Sequence, residues 1–479
     1  MNLPHFNSTY RKFTKRDTLG LQSLSSTIQG KICPIVNAVT PHPFYWAFLV
    51  WNYYHFYSLP ENKNKLDKEF DETFVKRNDF YFVLSNFLNS NNMDGIAGQT
   101  KVKNEFEDKR ESPVFEFYPK YYKSHFGGMQ YYNFGCFKAG FVVEDLTKIN
   151  INGNSNGAKL TRAFDEVIKN TTVYKEYISQ NKLLENVEKD ALIELGKCLT
   201  LKMDNMDEVK KILYSALFPK DYYQGFPNLL TSVEEYIKLL IEYGFIEKDG
   251  PFDRQIAKRL LYGDAEPAIF SKAKLTKHQI IEAIRWELVI ANQYYVSCME
   301  MLWQYLLSIL FVPVTQEEWI TNAIDSSNDL SLDEPLSSYD KVLSFDEMEN
   351  AVTNNLGKDT LSSVLSVLMS IVNRFKKETK KFDYLKIGDK MEFCVFSLIN
   401  KINGGVFKNV RELFEYLLKV HVIDNHERVA IEKRYQGRDG FLFEKVDNLY
   451  RSRGMNITIS SPSLRIVNVF SVLKELGEL

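Results

Sequence analysis

Cysteine is scarce in this chain: five in 479 residues, at positions 33, 136, 198, 298 and 394. They are far apart and odd in number, which excludes a disulfide framework and paired zinc ligands and points to a reducing compartment. Neither sign of charge is in excess. Sixty basic and 62 acidic residues leave a formal net charge of −2, so polyanion binding would have to come from a local patch. The opening Met1-Asn2-Leu3-Pro4-His5-Phe6 has no basic run followed by an apolar one, so no signal peptide is expected. Long apolar runs are missing as well. The nearest, residues 286–312, carries Glu287, Asn292, Gln293, Glu300 and Gln304, too many polar groups for a lipid-facing span. It reads as part of a core helix running from near Thr276 towards Phe311. The expectation is a soluble cytoplasmic protein without membrane contact.

The motifs of common chemistries are also absent. A phosphate-binding loop needs glycine, four residues, then Gly-Lys-Ser/Thr. Gly153-Asn154-Ser155-Asn156-Gly157-Ala158-Lys159 has the wrong spacing and reads as a helix-capping turn. A metal-dependent nuclease needs carboxylates and a lysine on a buried strand edge. Asp94 with Glu107-Asp108-Lys109 has a suitable spacing, but residues 101–111 have almost no apolar side chains and read as a solvated charged loop. Among seven histidines only His421 and His426 are close, five apart rather than the four that suits a zinc-binding helix. A polar turn between two helices accounts for them. No Gly-x-Ser-x-Gly elbow occurs. No catalytic residue, metal or cofactor is therefore expected, although sites can assemble from distant parts of a chain.

What the chain does have is a globular composition, 44% hydrophobic and 25% charged, and a length that suggests several domains. Nine of the fourteen residues 44–57 are aromatic, with no lysine or arginine between Pro43 and Asn62. That favours a packed nucleus over a base-stacking surface. Residues 63–89 read as helix, 91–120 as a loop-rich excursion. Leu160, Ala163, Phe164, Val167 and Ile168 mark one face of a helix, and Val233, Tyr236, Ile237, Leu240 and Ile241 another, with Ser232 and Glu235 as its capping box. Three helices are expected to stop at Gly140, Gly244 and Gly477, glycine being the residue suited to the left-handed C′ position. Residues 325–349 hold eight acids, one lysine and six serines, and mark a linker. The expected division is an N-terminal helical domain 1–170 with an aromatic core and a winged-helix-like part, a helical domain 171–324, an acidic linker 325–355, and a helical, winged-helix-like domain 356–479. The fold class is mainly α, multi-domain, with small winged-helix-like β-hairpins.

The last segment carries the functional expectation. A helix over 410–420, a turn at Asp424-Asn425, a helix over 427–435, strands around Phe441–Phe443 and Met455–Ile459, and a closing helix capped by Ser461-Pro462 outline a winged helix. Arg428, Lys433, Arg434 and Arg438 lie on or after its second helix, and Arg451 and Arg453 at the wing tip. These are the places where a winged helix meets a duplex. Glu427, Glu432, Asp439, Glu444 and Asp447 are interleaved with them, and Arg428 with Glu432 has the spacing of an i, i+4 pair.

Leu19-Gly20-Leu21, the aromatic run after Thr40, Gly127-Gly128 with Tyr131-Tyr132, Gly140-Phe141-Val142, Gly157 before Leu160, and the stretch from His426-Glu427-Arg428 to Ser461-Pro462-Ser463-Leu464-Arg465 together resemble a group of uncharacterised bacterial proteins. Those proteins belong to multi-gene clusters associated with anti-phage defence. The resemblance covers about the first 170 and last 60 residues and implies a subunit of a multi-protein system, with no active-site residues. The combined expectation is a non-catalytic scaffold or recognition subunit whose C-terminal segment reads double-stranded DNA or a partner protein, alongside other protein subunits. The alternative is an effector enzyme, most plausibly a metal-dependent nuclease.

Overall fold

The computed structural model describes residues 12–13, 17–37, 39–59, 62, 74–90, 93–117, 131–142, 155–180, 182, 184–220, 222–223, 226–227, 229–262, 275–327, 330–354, 357, 359–385, 392–455, 457 and 463–479. The fold is mainly α, and the described strands form only short two-stranded pairs. The chain divides into two compact units, both discontinuous in sequence. Met1–Ile32 joins Asp253–Ser463 in the first, and Cys33–Phe252 joins Leu464–Leu479 in the second. The cuts expected at 170, 325 and 355 fall within units rather than between them.

The first unit is built round one helix, Lys277–Ile309, which begins as expected at Thr276. There a capping box with Gln279 satisfies the first free amides. Helices Leu21–Ile32, Arg254–Tyr262 and Thr360–Phe375 pack on it, and it is buried on every face. Among the polar residues that argued against a membrane span, Glu287, Glu300 and Asn292 have internal partners. Glu287 binds Arg374 Nε at 2.6 Å, Glu300 accepts from Gln22 at 3.0 Å, and Asn292 accepts from the Val395 amide at 3.3 Å. Polar groups buried with partners cost little, and they fix the register of neighbouring helices.

The acidic stretch lies inside this unit. Asp325 pairs with Arg411 at 3.1 Å, Asp346 pairs with Arg259, and Glu349 pairs with Lys258 at 2.6 Å. The Leu332 and Glu334 carbonyls accept from the Arg411 and Val410 amides. Residues Phe345–Asn354 form a helix. Composition suggested a solvated linker because the cations that answer these carboxylates are remote in sequence.

In the second unit the aromatic block is the helix Phe44–Ser58, buried on all sides. Phe44 stacks on Phe82 with centroids 4.5 Å apart, and Phe48 on Phe164 at 5.9 Å. Each such ring contributes roughly 1.5–3 kcal/mol on burial. The polar edges are answered too: Trp51 Nε1 donates to Asp165 at 2.8 Å and the Tyr53 hydroxyl to Asn133 at 2.6 Å. Of the expected helix over 63–89, residues 63–73 lie outside the described residues, and Lys76–Leu88 is helical.

Ser155 caps the helix Asn156–Ile168 by accepting from the Ala158 amide, as a capping turn should. Ser232 is no cap; it is buried inside the helix Leu229–Glu242, which starts earlier because Leu230 and Thr231 are also buried. The excursion over 91–120 is more ordered than expected. Gln99–Phe106 is a helix seated on buried Val102 and Phe106, and Val114–Glu116 pairs antiparallel with Asn186–Glu188. Gly140, Gly244 and Gly477 all adopt positive φ, the left-handed stop expected of them.

The final helix, Arg465–Leu476, completes this unit. Phe470 meets Phe252 with centroids 5.1 Å apart, Asn468 donates to the Asn37 carbonyl at 2.6 Å, and His42 meets Glu475 at 2.7 Å. Arg465, 9% exposed, donates to the Cys33 and Val36 carbonyls at 2.9 and 3.2 Å. Arg465→Met should cost about 2–4 kcal/mol, since two buried carbonyls lose their donor. A thermal melt of the variant would show it.

Candidate functional site

Arg428, Lys433 and Arg434 sit on a helical run that the sequence reading divided in two. Residues Val410–Tyr416 are α, Leu417–Asp424 form a π-helix, and Asn425–Tyr435 return to α without a turn. The turn expected at Asp424-Asn425 is absent because the neighbouring polar side chains are consumed internally. Asn425 Nδ2 donates to the Leu19 carbonyl at 2.8 Å, and His426 Nδ1 to the Thr18 carbonyl at 3.0 Å. His426 Nε2 accepts from the Leu442 amide at 3.2 Å. Both histidines are fully buried. Five-residue spacing separates two side chains on an α-helix, but the wider π turn, bonded i to i+5, changes that phase.

His421 lies among Tyr295, Phe393 and Tyr416, with its ring nitrogens against the two tyrosine hydroxyls. Burial pulls the pKa of each histidine down to about 4, helped at His421 by Lys401; at His426 the Thr18 carbonyl opposes the drop. Both are neutral at pH 7. A winged helix is not completed here: the closing helix belongs to the second unit, and the Ser461-Pro462 cap lies outside the described residues.

After the helix the chain turns at Gly437, whose φ is +76°, and enters the short strand Arg438–Asp439. That strand pairs in parallel with Lys12–Phe13, with Lys12 opposite Arg438. In sequence, positions 11–16 hold four cations (Arg11, Lys12, Lys15, Arg16) and no carboxylate. The hairpin follows as Phe443–Val446 and Leu449–Ser452. Its tip is Asp447-Asn448, both at positive φ (50° and 67°), the pattern of a type I′ turn. The second strand was expected at 455–459, of which residues 456, 458 and 459 lie outside the described residues; the hairpin that is described turns earlier, at Asp447-Asn448. Arg451 is therefore in a strand and Arg453 just after it, and neither is at the tip.

The six predicted cations all belong to the first unit and divide into two groups. Arg428 binds Glu432 at 2.7 Å and Asn425 at 2.7 Å. Arg453 binds Asp439 at 3.1 Å and the Phe441 carbonyl at 2.8 Å, with Glu444 at 3.9 Å. Lys433 donates to the Asp17 carbonyl at 2.7 Å. Burial lowers its pKa, Asp17 opposes, and the nearby Arg438 charge lowers it further. These three are structural. Arg434, Arg438 and Arg451 are exposed and, among the described residues, have no ion-pair partner. Arg434 lies 4.7 Å over the Phe441 ring, which orients its guanidinium and leaves the charge available.

The interleaved acids are mostly answered as well. Glu427 is held by Lys445 at 2.9 Å and by the Tyr450 hydroxyl at 2.8 Å, Glu432 by Arg428, and Asp439 by Arg453. The surplus exposed charge is positive. Sequence reasoning missed Tyr435, 89% exposed between Arg434 and Arg438, because an aromatic at a helix end reads as core. It also missed the strand at Lys12, for which two residues give no periodic signal.

Other places offer less chemistry. Glu107–Lys109, in the nuclease candidate, is a 3-10 turn. A shallow cleft of about 220 Å³ lies beside Glu347, Asn350, Ser362 and Ser366, but Glu347 is bound by Lys341 and by the Ser344 amide. Among the described residues no three His, Cys, Asp or Glu side chains converge to hold a metal ion, and no helix is long and apolar enough to cross a membrane. Comparison with protein-family models, with curated proteins and with solved structures returns no match, so the likeness to defence-cluster proteins has no counterpart there.

Proposed function

We propose that this chain is a non-catalytic recognition subunit of a multi-protein assembly and that the corner formed by Arg434, Arg438 and Arg451 binds nucleic acid. One observation carries the reading. After internal pairing is counted, Glu432, Glu427 and Asp439 are committed to Arg428, Lys445 and Arg453, and the three remaining arginines are exposed, Arg451 standing opposite Glu444 across the hairpin. A local cationic surplus on a chain of near-zero net charge is what phosphate recognition requires.

The test is Arg434→Gln with Arg438→Gln and Arg451→Gln, measured by anisotropy of labelled oligonucleotides over a range of salt. Each lost phosphate contact should flatten the log–log salt slope by about 0.7–0.9, so the triple variant should lose roughly two units of slope. Wild-type protein without salt-dependent binding, or a triple variant with the wild-type slope, would sink the proposal. Cleavage of the oligonucleotide with Mg²⁺, abolished by EDTA, would replace the non-catalytic part with the nuclease alternative.

A further inference from the structure

The geometry points to single-stranded nucleic acid as the ligand of this corner, with Tyr435 as the platform on which an unpaired base stacks. This inference rests on the reading of the corner as a nucleic-acid site. Two observations carry it beyond that reading. Tyr435 is 89% exposed at the end of its helix, a high figure for an aromatic residue that could pack inward. Arg434 precedes it and Arg438 follows three residues later, so the ring lies between exposed cations that can hold the phosphates on either side of a stacked base. Sequence-tolerant binders of single strands combine these two components, a basic track and an aromatic face.

The second is negative for a duplex. A wing that enters the minor groove presents arginine at its tip, whereas this hairpin ends in Asp447-Asn448 and Arg453 is bound to Asp439. A carboxylate at the tip repels the closely spaced phosphates of a duplex. A flexible single strand can pass over the Tyr435 side instead.

The experiment compares full-length wild type, Tyr435→Ala and Tyr435→Phe against a labelled 20-nucleotide single strand and a duplex of equal length at matched salt. The wild type should prefer the single strand. Tyr435→Ala should weaken single-strand binding by roughly five- to 150-fold, the range for loss of one base stack. It should leave the salt slope and the duplex affinity unchanged, and Tyr435→Phe should retain most of the affinity. Because the side chain is so exposed, the alanine variant should keep the wild-type circular dichroism and melting curve. Equal single-strand affinity for wild type and Tyr435→Ala, or duplex binding as tight as single-strand binding, overturns the stacking inference. Loss of all salt-dependent binding in the wild type overturns the underlying reading instead.

Discussion

Lowering the pH from 6.5 to 4 should destabilise the first unit by roughly 3 kcal/mol for each of His421 and His426, from pKa values lowered to about 4. In the folded chain both rings resist protonation, whereas in the unfolded chain they take up a proton near 6.5. The unfolded state therefore binds more protons throughout that interval. Stability is fully present above about pH 6.5 and falls as pH drops, until the folded state also protonates near 4. At His426 the cause is geometric as well as dielectric. Its Nδ1–H already donates to Thr18, and a second proton on Nε2 would face the Leu442 amide, donor against donor. His426→Gln can keep one donor and one acceptor without titrating. Denaturant midpoints at pH 7, 6, 5 and 4.5 should give a shallower pH dependence for this variant than for the wild type. Equal slopes would show that the buried imidazole does not govern acid sensitivity.

The second large effect belongs to the Lys258–Glu349 pair. Lys258 is 3% exposed, and Glu349 accepts from it at 2.6 Å, from the Tyr294 hydroxyl at 2.7 Å and from Gln255 at 3.0 Å. Glu349→Ala should cost about 3–5 kcal/mol, because it leaves an ammonium buried without its counter-charge. Lys258→Met with Glu349→Leu should recover most of that loss, since an apolar pair of similar volume pays no desolvation. A double variant as unstable as Glu349→Ala would contradict this account. Burial pushes the Glu349 carboxyl up, and the Lys258 charge with the three hydrogen bonds more than reverses it, holding the group below the ordinary range. Its contribution is present above the ordinary carboxylate pKa and is lost as pH falls below it, at the acid end of the histidine window.

Those elements whose signals are local were legible in the sequence. The aromatic run, the Thr276 start of the central helix and the three glycine stops each follow from side-chain volume, capping chemistry or φ preference, and they appear where expected. What failed depended on partners far along the chain. The acidic stretch looked solvated because Arg259, Lys258 and Arg411 are remote from it, and Asp424-Asn425 looked like a turn because Thr18 and Leu19 lie some 400 residues earlier. The candidate site was half legible. All six cations belong to the first unit, but only pairing distances separate the three that are tied down from the three that are not. Tyr435 is conspicuous only once its exposure is known.

The exchange of terminal helices between the two units has a consequence for synthesis. Leu21–Ile32 leaves the ribosome early, yet the unit it completes begins again only at Asp253. Residues Cys33–Phe252 are made in one stretch, but the helix that covers Phe252 and binds the Cys33 and Val36 carbonyls emerges only after Ser463. Neither unit can therefore close until residues well beyond Phe252 have been made, and unsatisfied apolar faces must wait, a state in which nascent chains recruit chaperones. The same connectivity means that no single cut at Phe252 releases a self-sufficient half. A nonsense mutation at Arg465 should damage the unit whose main stretch, Cys33–Phe252, was synthesised well before it.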